Sequence, residues 1–460
     1  MNTQQENFHH ALKFQYDLCI GCAHCTEICP TAAIHIEGGL PVLNPNRCID
    51  CGRCYSACPV SAIYVEQDDF QTIYDYKTPV ALVPSIFFAQ FPEKIDHDSI
   101  LAALHYLGFK FIYEVEESVE VLKHIMNEKL TNEDCDKPMI SSFCPAIVRL
   151  IQVKFPSLVN NIMLVKPPLD LTSLHIKKNL VEKRGIPDDE IGIFYVAPCP
   201  AKIAAIKSPV GEDKSSVTGV INMNYLYNKV LRTIKQGTEL HASQNEHRNV
   251  MTRKNLMWSL SGGEIALLKE GRNLAIDEVH NVSAFLEKIE NEDIDNIDFL
   301  EVRACDQSCA GGILCANNRF LTVERQKQRA AHSPVRVSKK FNELIDDADY
   351  LKDNSKVGKV QPRSMDKLDN DRAVAMQKME KAFKINKFLP QVDCRICGYQ
   401  TCKEFAFAVT NEVIGLKSCI FVQRLLNENN KITPAERAEL AKKTWGEQKL
   451  DIDNIPDNLL

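Results

Sequence analysis

Short apolar runs alternate with amphipathic stretches through the middle of the chain. Residues 79–84 and 191–197 are almost wholly apolar and are short enough to be strands that are buried on both faces. Residues 99–107 place apolar side chains at helical spacing and stop at Gly108, which predicts an amphipathic helix. A further strand is predicted over 109–115. Strands that alternate with helices predict βαβ units and a largely parallel sheet.

The pattern changes toward both ends and divides the chain into domains. Ser118 is placed to cap a helix over 119–129, still within the central body. Two short strand-like stretches, 33–36 and 62–65, each follow a cysteine motif near the N-terminus. Residues 341–375 are polar and charged, which predicts a solvated linker or an exposed helix. The predicted order is a domain over 1–77, a central domain over 78–340, the linker 341–375, a domain over 376–430 and a charged tail over 431–460.

Composition narrows the class of protein. The 460 residues include 61 acidic and 55 basic side chains, and the net charge of −6 argues against a nucleic-acid-binding protein. No apolar run approaches the roughly 18 residues that span a bilayer, and the N-terminus lacks the features of a signal peptide. We therefore expect a cytoplasmic protein with no membrane contact. In a reducing compartment, 18 cysteines favour metal sites over disulfides.

Eight of the cysteines form an internal repeat. The run C-x2-C-x2-C-x3-C-P starts at Cys19 and again at Cys48. Three thiolates at this spacing wrap one [4Fe–4S] cubane, and the fourth cysteine of each run ligates the other cluster. Zinc, the alternative, usually pairs two C-x2-C knuckles across a longer loop. The segment resembles a bacterial-type two-cluster ferredoxin domain. Its two predicted ligand sets are Cys19, Cys22, Cys25 and Cys58, and Cys29, Cys48, Cys51 and Cys54.

A second motif lies near the C-terminus and offers four more thiolates. Its spacing is C-x2-C-x4-C-x16-C, and a Phe-Ala helix start follows the third cysteine. The motif resembles the small iron–sulfur module of corrinoid iron–sulfur proteins and electron-transport complexes, and a zinc knuckle is the alternative. The predicted metal ligands are Cys394, Cys397, Cys402 and Cys419.

Three stretches of the central domain place a cysteine in an unusual context. They are 141–146, 197–202 and 301–312. Each cysteine alone is more readily explained as a small buried hydrophobe, but four thiols from three loops are enough for a further cubane. Glycines after Cys309 would let the backbone approach a bulky cofactor closely.

In this order the three stretches resemble the active-site loops of [FeFe]-hydrogenases, over roughly residues 78–320. The resemblance implies the H-cluster, in which a [4Fe–4S] cubane is bridged to a two-iron unit with CO, CN⁻ and a dithiolate. With the three accessory [4Fe–4S] clusters, four cubane sites are expected. The resemblance implies that Cys144, Cys199 and Cys305 ligate the cubane and that Cys309 both ligates it and bridges to the two-iron unit.

Two further residues match family positions. Lys202 matches a lysine that donates to one cyanide, as an ammonium can do through a charge-assisted hydrogen bond. Ser85 matches a residue that hydrogen-bonds on the other cyanide side. The implied fold is α/β, with an α+β dicluster ferredoxin domain, a central two-lobed hydrogenase-like domain with parallel sheets, and a small helical C-terminal 4Fe–4S domain.

The chain also departs from the family pattern. Phe143 replaces the cysteine that shuttles protons to the two-iron unit, and phenylalanine has no exchangeable proton. Ala197 and Arg303 each replace a methionine, Ala205 stands in the place of a glutamate and Ser308 in that of a glycine. These substitutions resemble those of divergent, sensory-type [FeFe]-hydrogenases, and they change the surroundings of the cofactor more than its ligands.

Two functions follow as expectations. The leading one is a hydrogenase that interconverts H2 with protons and electrons, slow because of Phe143, with H2 sensing as a further role. Its partners would be a redox carrier such as ferredoxin and a signalling partner, and the oxygen-labile cofactor implies an anaerobe. The alternative is a non-catalytic protein of the same fold that holds only cubanes, for electron transfer or cluster assembly. Lys202, Ser85 and Cys309 favour the first function.

Overall fold

The computed structural model describes residues 8–131, 136–212, 214–236, 251–335, 343–363, 368–447 and 449. The described residues form two compact units. The central unit draws on Met1–Ala11, Ile49–Cys51 and Val65–Pro362, and the other, here called the cysteine-rich unit, draws on Leu12–Cys48, Gly52–Tyr64 and Arg363–Leu460. The ferredoxin-like and C-terminal segments, which the sequence analysis divides into separate domains, therefore share one unit.

A four-stranded parallel sheet organises the first half of the central unit. Its strands, in spatial order, are Phe111–Glu114, Thr78–Val83, Ile191–Ala197 and Gly219–Asn222. The two middle strands are buried along their whole length, which explains their unbroken apolar sequence. Because the carboxyl ends of parallel strands meet at one edge, Ser85 and Cys199 leave the sheet at the same edge.

A second, three-stranded parallel sheet carries the remaining central cysteines. Its strands, in spatial order, are Asn273–Ile276, Phe299–Val302 and Met139–Ile140. Phe299 pairs with Asn273 on one side and with Met139 on the other. Cys144 and Cys305 follow the carboxyl ends of two neighbouring strands, so this sheet also delivers its thiols at a single edge.

Helices connect the strands of the central unit, as the periodicity predicts. The predicted helix over 119–129 is present and Ser118 occupies its N-cap position, but the Ser118 hydroxyl makes no capping hydrogen bond and donates instead to the Pro168 carbonyl at 3.1 Å. The described α-helices of this unit are His97–Tyr106, Val119–Leu130, Pro145–Lys154, Pro168–Lys178, Pro200–Lys207, Met223–Lys235, Arg253–Met257, Val279–Glu290, Arg319–Ala331 and Ala348–Asp353.

Part of the expected linker belongs to the core of the central unit. Leu344 and Leu351 are fully buried in an apolar cluster that also contains Phe143 and Trp258. The prediction of a solvated segment is wrong here, because the charged side chains that suggested it, such as Lys352, lie on the exposed face of the short helix Ala348–Asp353. A helix that buries one residue per turn keeps a polar sequence and still packs.

The cysteine-rich unit combines small β elements with helices. An antiparallel hairpin pairs Ile34–Glu37 with Leu40–Leu43, and Leu12–Phe14 pairs with Ile63–Val65. Its α-helices are His24–Glu27, Arg53–Ala57, Arg372–Phe388, Cys402–Thr410, Ile420–Glu428 and Pro434–Trp445.

The last of these helices lies in the segment expected to be a charged tail. It starts with a capping box between Thr433 and Glu436. At its end, the carbonyls of Lys443 and Thr444 accept hydrogen bonds from the Gly38 and Gly39 amides at 2.8 and 3.0 Å. The described part of the tail is therefore folded onto the hairpin.

The α/β fold class with parallel sheets in the centre is confirmed, together with a ferredoxin-like N-terminal region and a helical C-terminal region. Within the described parts of the chain, no helix is both long and apolar enough to cross a membrane.

Candidate metal centres

The first ferredoxin ligand set surrounds a single cavity. Cys19, Cys22, Cys25 and Cys58 all line it, and apolar side chains such as Ile36 complete the wall. The pKa of the Cys25 thiol is raised to about 11, mainly by burial, with the nearby Cys22 and Cys19 thiols acting in the same direction. Four thiols that converge on one cavity are suited to a metal cluster, which binds them as thiolates.

The two halves of the repeat also match in their backbone. The Cys29 sulfur accepts a hydrogen bond from the Ala33 amide at 3.2 Å, and the Cys58 sulfur accepts one from the Ala62 amide at the same distance. Each half thus fixes its last cysteine through the amide four residues later. In the second ligand set, Cys29 and Cys48 pack in one buried cluster and Cys54 is also buried in the cysteine-rich unit.

The remaining member of the second set, Cys51, belongs to the central unit. It packs against the apolar core that also contacts Cys144 and Cys199. It is also close enough to Cys305 to contribute to the raised pKa of that thiol. A ferredoxin ligand therefore lies in the neighbourhood of the central cysteines.

The C-terminal cysteines converge in the same way. Cys394, Cys397, Cys402 and Cys419 line one cavity. Burial raises the pKa of Cys397 to about 12, and the other three thiols act in the same direction. The Cys402 amide donates to Asp393 at 2.6 Å and so fixes the start of the helix Cys402–Thr410.

In the central unit, two thiols sit at helix starts and two sit in one turn. Cys144 and Cys199 each occupy the N-cap position of a helix whose first residue is proline. Cys305 follows a strand of the smaller sheet, and Cys309 lies in the short helix Ser308–Gly311. Three separate loops therefore supply the four thiols, as the resemblance implies.

Two glycines of the third loop have a different role from the one expected. A Cβ atom on Gly311 would lie 1.8 Å from the Asp306 carbonyl oxygen, and one on Gly312 would lie 2.5 Å from the Pro198 carbonyl oxygen. These glycines let the third loop pack against itself and against the second loop. They thereby bring Cys309 toward the loop that carries Cys199.

The central thiols influence one another. Burial raises the pKa of Cys199 to about 12, with Cys144 and Cys309 acting in the same direction. Burial likewise raises the pKa of Cys305, and again the other central thiols add to the effect. Four mutually interacting buried thiols form a soft, anionic ligand set once a metal cluster replaces their protons.

Lys202 is buried beside this ligand set. Its Nζ lies 3.8 Å from the Cys309 sulfur. Burial by itself would lower the pKa of Lys202, but Cys309, Tyr195 and Cys199 outweigh that effect, and the pKa of the lysine is raised. The Lys202 side chain is therefore positively charged, and its ammonium group can donate hydrogen bonds to a bound group.

Ser85 is fully buried near the same ammonium. Its amide donates to Glu116 at 2.8 Å, its side chain also hydrogen-bonds Glu116, and its hydroxyl oxygen accepts from Gln326 at 3.0 Å. Burial raises the pKa of Glu116 to about 7, while the Ser85 amide and Lys202 act in the opposite direction.

Arg303, which stands in the place of a methionine, adds a second buried cation. Its NH2 atom lies 2.5 Å from Glu264 Oε1, and its guanidinium carbon lies 4.8 Å from the centre of the Trp258 ring. Glu301 accepts from the amides of Gly262, Glu264 and Ile265 at 2.9, 2.9 and 3.1 Å. This carboxylate holds the loop that positions Glu264 against Arg303.

Phe143 lines a small cavity of the central unit. Its ring is 2% exposed and packs at 5.6 Å, centre to centre, on Trp258. The cavity measures about 60 Å³, and Phe143, Lys202, Asp170 and Glu212 are among its lining residues. This volume is sufficient for a few water molecules. An aromatic ring in the wall of this cavity, directly before Cys144 in the sequence, thus stands where the resemblance implies a relay thiol.

The surroundings of the central thiols fit a polar cofactor. Among the described residues, several buried polar atoms here have no hydrogen-bond partner: Arg303 Nε, Arg303 NH1, Ser259 Oγ, Ser308 Oγ and Tyr195 Oη. Leaving such atoms unsatisfied costs about 1–3 kcal/mol each, so a bound group with acceptor atoms would stabilise the site. The soft thiols, the ammonium and the unpaired donors together match a cubane that carries an anionic two-iron extension.

Two further cysteines are outside the ligand sets. The Cys315 sulfur lies 3.5 Å from the Cys309 carbonyl oxygen and 3.8 Å from the Met223 sulfur, so it packs near the site. Cys135 lies outside the described residues.

Sequence reasoning missed several residues of this site. Glu301 lies within the third cysteine stretch, but neither its proximity to Arg303 nor the pairing of Glu264 with Arg303 has a sequence signal. Glu116 and Trp258 had no signal at all, because each comes from an element remote in sequence from the cysteine loops.

Comparisons with known proteins agree with this division of the chain. Residues 77–265 match the family model of the iron-only hydrogenase large subunit, C-terminal domain. Residues 11–59 match a 4Fe–4S dicluster domain, and residues 389–421 match an Fe–S cluster family. The sequence-based recognition is confirmed, and both end segments are iron–sulfur domains in their family assignment.

Solved structures show a distant likeness. A variant of the [FeFe]-hydrogenase from Chlamydomonas reinhardtii is 16% identical with a TM-score of 0.45. A structure of an [FeFe]-hydrogenase studied for oxygen inactivation at its two-iron subcluster is 17% identical with a TM-score of 0.46. Each match covers 62% of this chain and 94% of the other.

Proposed function

We propose that this chain, whose central domain belongs to the iron-only hydrogenase large-subunit family, is an [FeFe]-hydrogenase of low turnover that interconverts H2 with two protons and two electrons. The observation that carries the proposal is a buried ammonium, Lys202, placed 3.8 Å from the sulfur of Cys309 within a four-thiol site. A cubane alone needs no buried ammonium, whereas a two-iron unit with cyanide ligands offers it an anionic acceptor.

Each residue has a distinct role in this proposal. Cys144, Cys199 and Cys305 hold the cubane, and Cys309 joins it to the two-iron unit. Lys202 and Ser85 would hold the two cyanide sides of that unit through their N–H and O–H groups. When bound, the two-iron unit supplies the position at which H2 is formed or split.

The surroundings of the site support a slow enzyme with a sensory role. Phe143 offers no proton at the position where the family uses a thiol, and general acid–base groups typically contribute about 10² to 10⁴ in rate. Electrons would reach the site through the accessory cubanes from a one-electron carrier such as ferredoxin. We further propose a cytoplasmic, anaerobic setting and a signalling partner that responds to the redox state of the protein.

The second candidate is a non-catalytic protein that holds only cubanes. Phe143 and the buried pair of Arg303 with Glu264 favour it, because both change the surroundings that the family uses for proton and ligand contacts. In that case the central cubane would serve in electron transfer or in cluster assembly.

Infrared spectroscopy of the matured protein distinguishes the two. CO and CN⁻ stretching bands are expected if the two-iron unit is installed, and their absence after maturation with competent maturation enzymes would overturn the proposal. Iron content gives a separate test of the cubanes. After anaerobic reconstitution without the two-iron unit, we expect about 16 irons per chain, four for each of four sites. Saturation at about 8 would mean that only the ferredoxin sites bind clusters.

A further inference from the structure

The cysteine-rich unit brings the C-terminal ligand loop against the N-terminal one. The Ile36 amide donates to the Gly398 carbonyl at 2.9 Å. Ile36 lines the cavity of the Cys19 ligand set, and Gly398 directly follows Cys397, a ligand at the C-terminal cavity. A single peptide hydrogen bond therefore connects the walls of the two cavities.

Gly398 is required for this close approach. Its φ angle is +88°, and a Cβ atom at this position would lie 2.4 Å from the Ile36 carbonyl oxygen. Any other residue would have to displace the strand Ile34–Glu37, because the atom it meets belongs to the backbone.

Side chains hold the two loops together around this point. The Gln400 side-chain amide donates to the carbonyls of Glu27 and Cys29 at 2.9 and 3.0 Å. The rings of His35 and Tyr399 stack with their centres 5.0 Å apart and their planes 7° from parallel. Tyr399 also lines the C-terminal cavity.

Two ion pairs add to the contact. Arg395, which lies between two C-terminal ligands, pairs with Glu27 at 2.9 Å. Arg47, 6% exposed, pairs with Glu404 of the helix that follows Cys402. Because the Arg47–Glu404 pair is shielded from water, it holds its geometry better than an exposed pair. It therefore helps to hold the C-terminal module against the N-terminal domain.

We propose that this contact, the Ile36–Gly398 junction, is an electron-transfer junction between the C-terminal cluster and the cluster of Cys19, Cys22, Cys25 and Cys58. One electron passes from a reduced [4Fe–4S]⁺ cluster on one side to an oxidised [4Fe–4S]²⁺ cluster on the other, so that one is oxidised as the other is reduced and no proton moves. A one-electron carrier protein supplies or removes the electron at the C-terminal side.

The junction rests on the accessory clusters of the proposed function and does not need the two-iron unit. It explains why a C-terminal module about 340 residues away in sequence folds with the N-terminal domain in one unit. The junction also places the C-terminal cluster in the electron-transfer path, next to the cluster of Cys19, Cys22, Cys25 and Cys58.

Electron paramagnetic resonance of the full chain, reconstituted without the two-iron unit, tests the junction. In the parent protein, reduction with dithionite should produce a C-terminal cluster signal that is split or broadened by its reduced neighbour. Cys397→Ala should leave a simpler N-terminal signal. A parent spectrum that is a plain sum of non-interacting clusters would overturn the proposal.

A glycine variant and its matched control locate the interaction. Gly398→Val should abolish or weaken the splitting, while Gly415→Val should leave it unchanged. Gly415 lies in the same module, is exposed, has an ordinary φ of −85° and has no atom within 4 Å of a built Cβ. Unchanged splitting in Gly398→Val with full iron content would contradict the junction.

Gly398→Val could lose the C-terminal cluster altogether, so a second variant with a smaller structural effect is needed. Gln400→Leu removes the two hydrogen bonds to the N-terminal loop without backbone strain. We expect weaker splitting at full iron content, and an unaltered spectrum would again contradict the proposal. Infrared bands are measured separately, so failure of the hydrogenase assignment leaves this test intact.

Discussion

The N-terminal Cys19 cavity and the central four-thiol site present the same ligand atoms in opposite surroundings. None of the side chains that line the Cys19 cavity carries a charge, although Lys449 donates to the carbonyl of its lining residue Gly21, and all four thiols come from two copies of one short motif. The central thiols come from three loops and have Lys202 and Arg303 buried beside them. The spacing of a local motif is thus sufficient to bring together the ligands of an electron-transfer cluster. A site that binds anionic ligands and protons also needs charged side chains, and these are positioned by the whole fold.

The largest difference between the two sites is expected when Cys309, the proposed bridging ligand of the central site, is removed. Cys309→Ala should abolish the CO and CN⁻ infrared bands and the H2 activity of the matured protein. The ferredoxin clusters should remain, because their ligands lie elsewhere in the chain. Infrared and paramagnetic resonance spectra of the same sample provide both measurements.

Cys315→Ala is the matched control for that variant. Its sulfur lies 3.5 Å from the Cys309 carbonyl oxygen but belongs to no predicted ligand set. The control should keep the infrared bands. Full band intensity in Cys309→Ala, or complete loss in Cys315→Ala, would show that the ligands are assigned incorrectly.

Removing the buried ammonium should have the next largest effect. Lys202→Met keeps the length of the side chain but deletes the donor beside Cys309. Loss of one preorganised donor at a reacting centre commonly lowers the rate by about 10² to 10³. We expect a loss of that size in H2 evolution and a shift of the cyanide bands in the infrared spectrum.

Lys207→Met tests whether that effect is specific to the site. Lys207 lies on the same helix, Pro200–Lys207, but pairs with Asp68 at 2.7 Å near the surface. This variant should retain the parental rate and cyanide bands. Equal effects of the two substitutions would mean that helix stability, and not the donor, determines the outcome.

Sequence reasoning could find the thiols because their chemistry is local. The repeat from Cys19 to Cys58 shows its spacing directly, and each Cys-Pro pair of the central unit begins a helix, as at Cys144. It could not find Glu116 or the Arg303–Glu264 pair as site residues, since their function depends on which strands and loops become neighbours. Burial and pairing are properties of the fold, not of a motif.

The same limit applies to the domain organisation. Polar composition predicted a linker after residue 341, yet Leu351 contributes to the core from a helix with only one buried position. Nothing in the order of the motifs indicates that the C-terminal module folds with the hairpin at Ile34–Glu37, because that contact includes backbone hydrogen bonds such as the one from Ile36 to Gly398. Backbone contacts leave little trace in sequence beyond a glycine such as Gly398.

Asp170, which lines the cavity beside Phe143 and Lys202, provides a test of the electrostatics of the central site. Burial raises the pKa of Asp170 to about 7, and Glu212 adds to the shift, while Lys166 and Lys202 oppose it. A carboxyl whose pKa is raised on folding destabilises the native state increasingly as pH rises from about 4 to 7. Asp170→Asn should therefore gain stability relative to the parent across that window, by about 2 kcal/mol at pH 7.5 after allowance for partial exposure.

Anaerobic thermal unfolding from pH 5 to pH 8 measures this difference. Asp188→Asn serves as the control, because Asp188 is exposed and pairs only with surface Lys177 at 3.1 Å. The control should show a constant offset from the parent. A parallel pH profile for Asp170→Asn would mean that Asp170 is ionised normally and that the cavity is wet and open.

The smallest expected effect on H2 turnover concerns Phe143, whose apolar ring lies next to Cys144 in the sequence. Phe143→Cys restores a thiol at the relay position but removes a ring that is 2% exposed and packed on Trp258. The lost packing should cost about 3 kcal/mol of stability and loosen the loop of Cys144. Because only one step of the relay is restored, we expect about a tenfold rise in H2 evolution, below the usual range for a complete acid–base group.

Phe143→Ala is the control that distinguishes the effect of adding a thiol from the effect of removing the phenylalanine ring. Both variants remove the Phe143 ring from the wall of the cavity of about 60 Å³ that Asp170 and Lys202 also line, but only the cysteine carries an exchangeable proton. Rates from a chemical reductant are compared at matched two-iron occupancy. A cysteine variant faster than both parent and alanine variant identifies proton delivery as limiting. If neither exceeds the parent, the slow step lies in electron supply or in the charges around Arg303, and the aromatic wall at Phe143 is a structural feature of the site and not the cause of its low turnover.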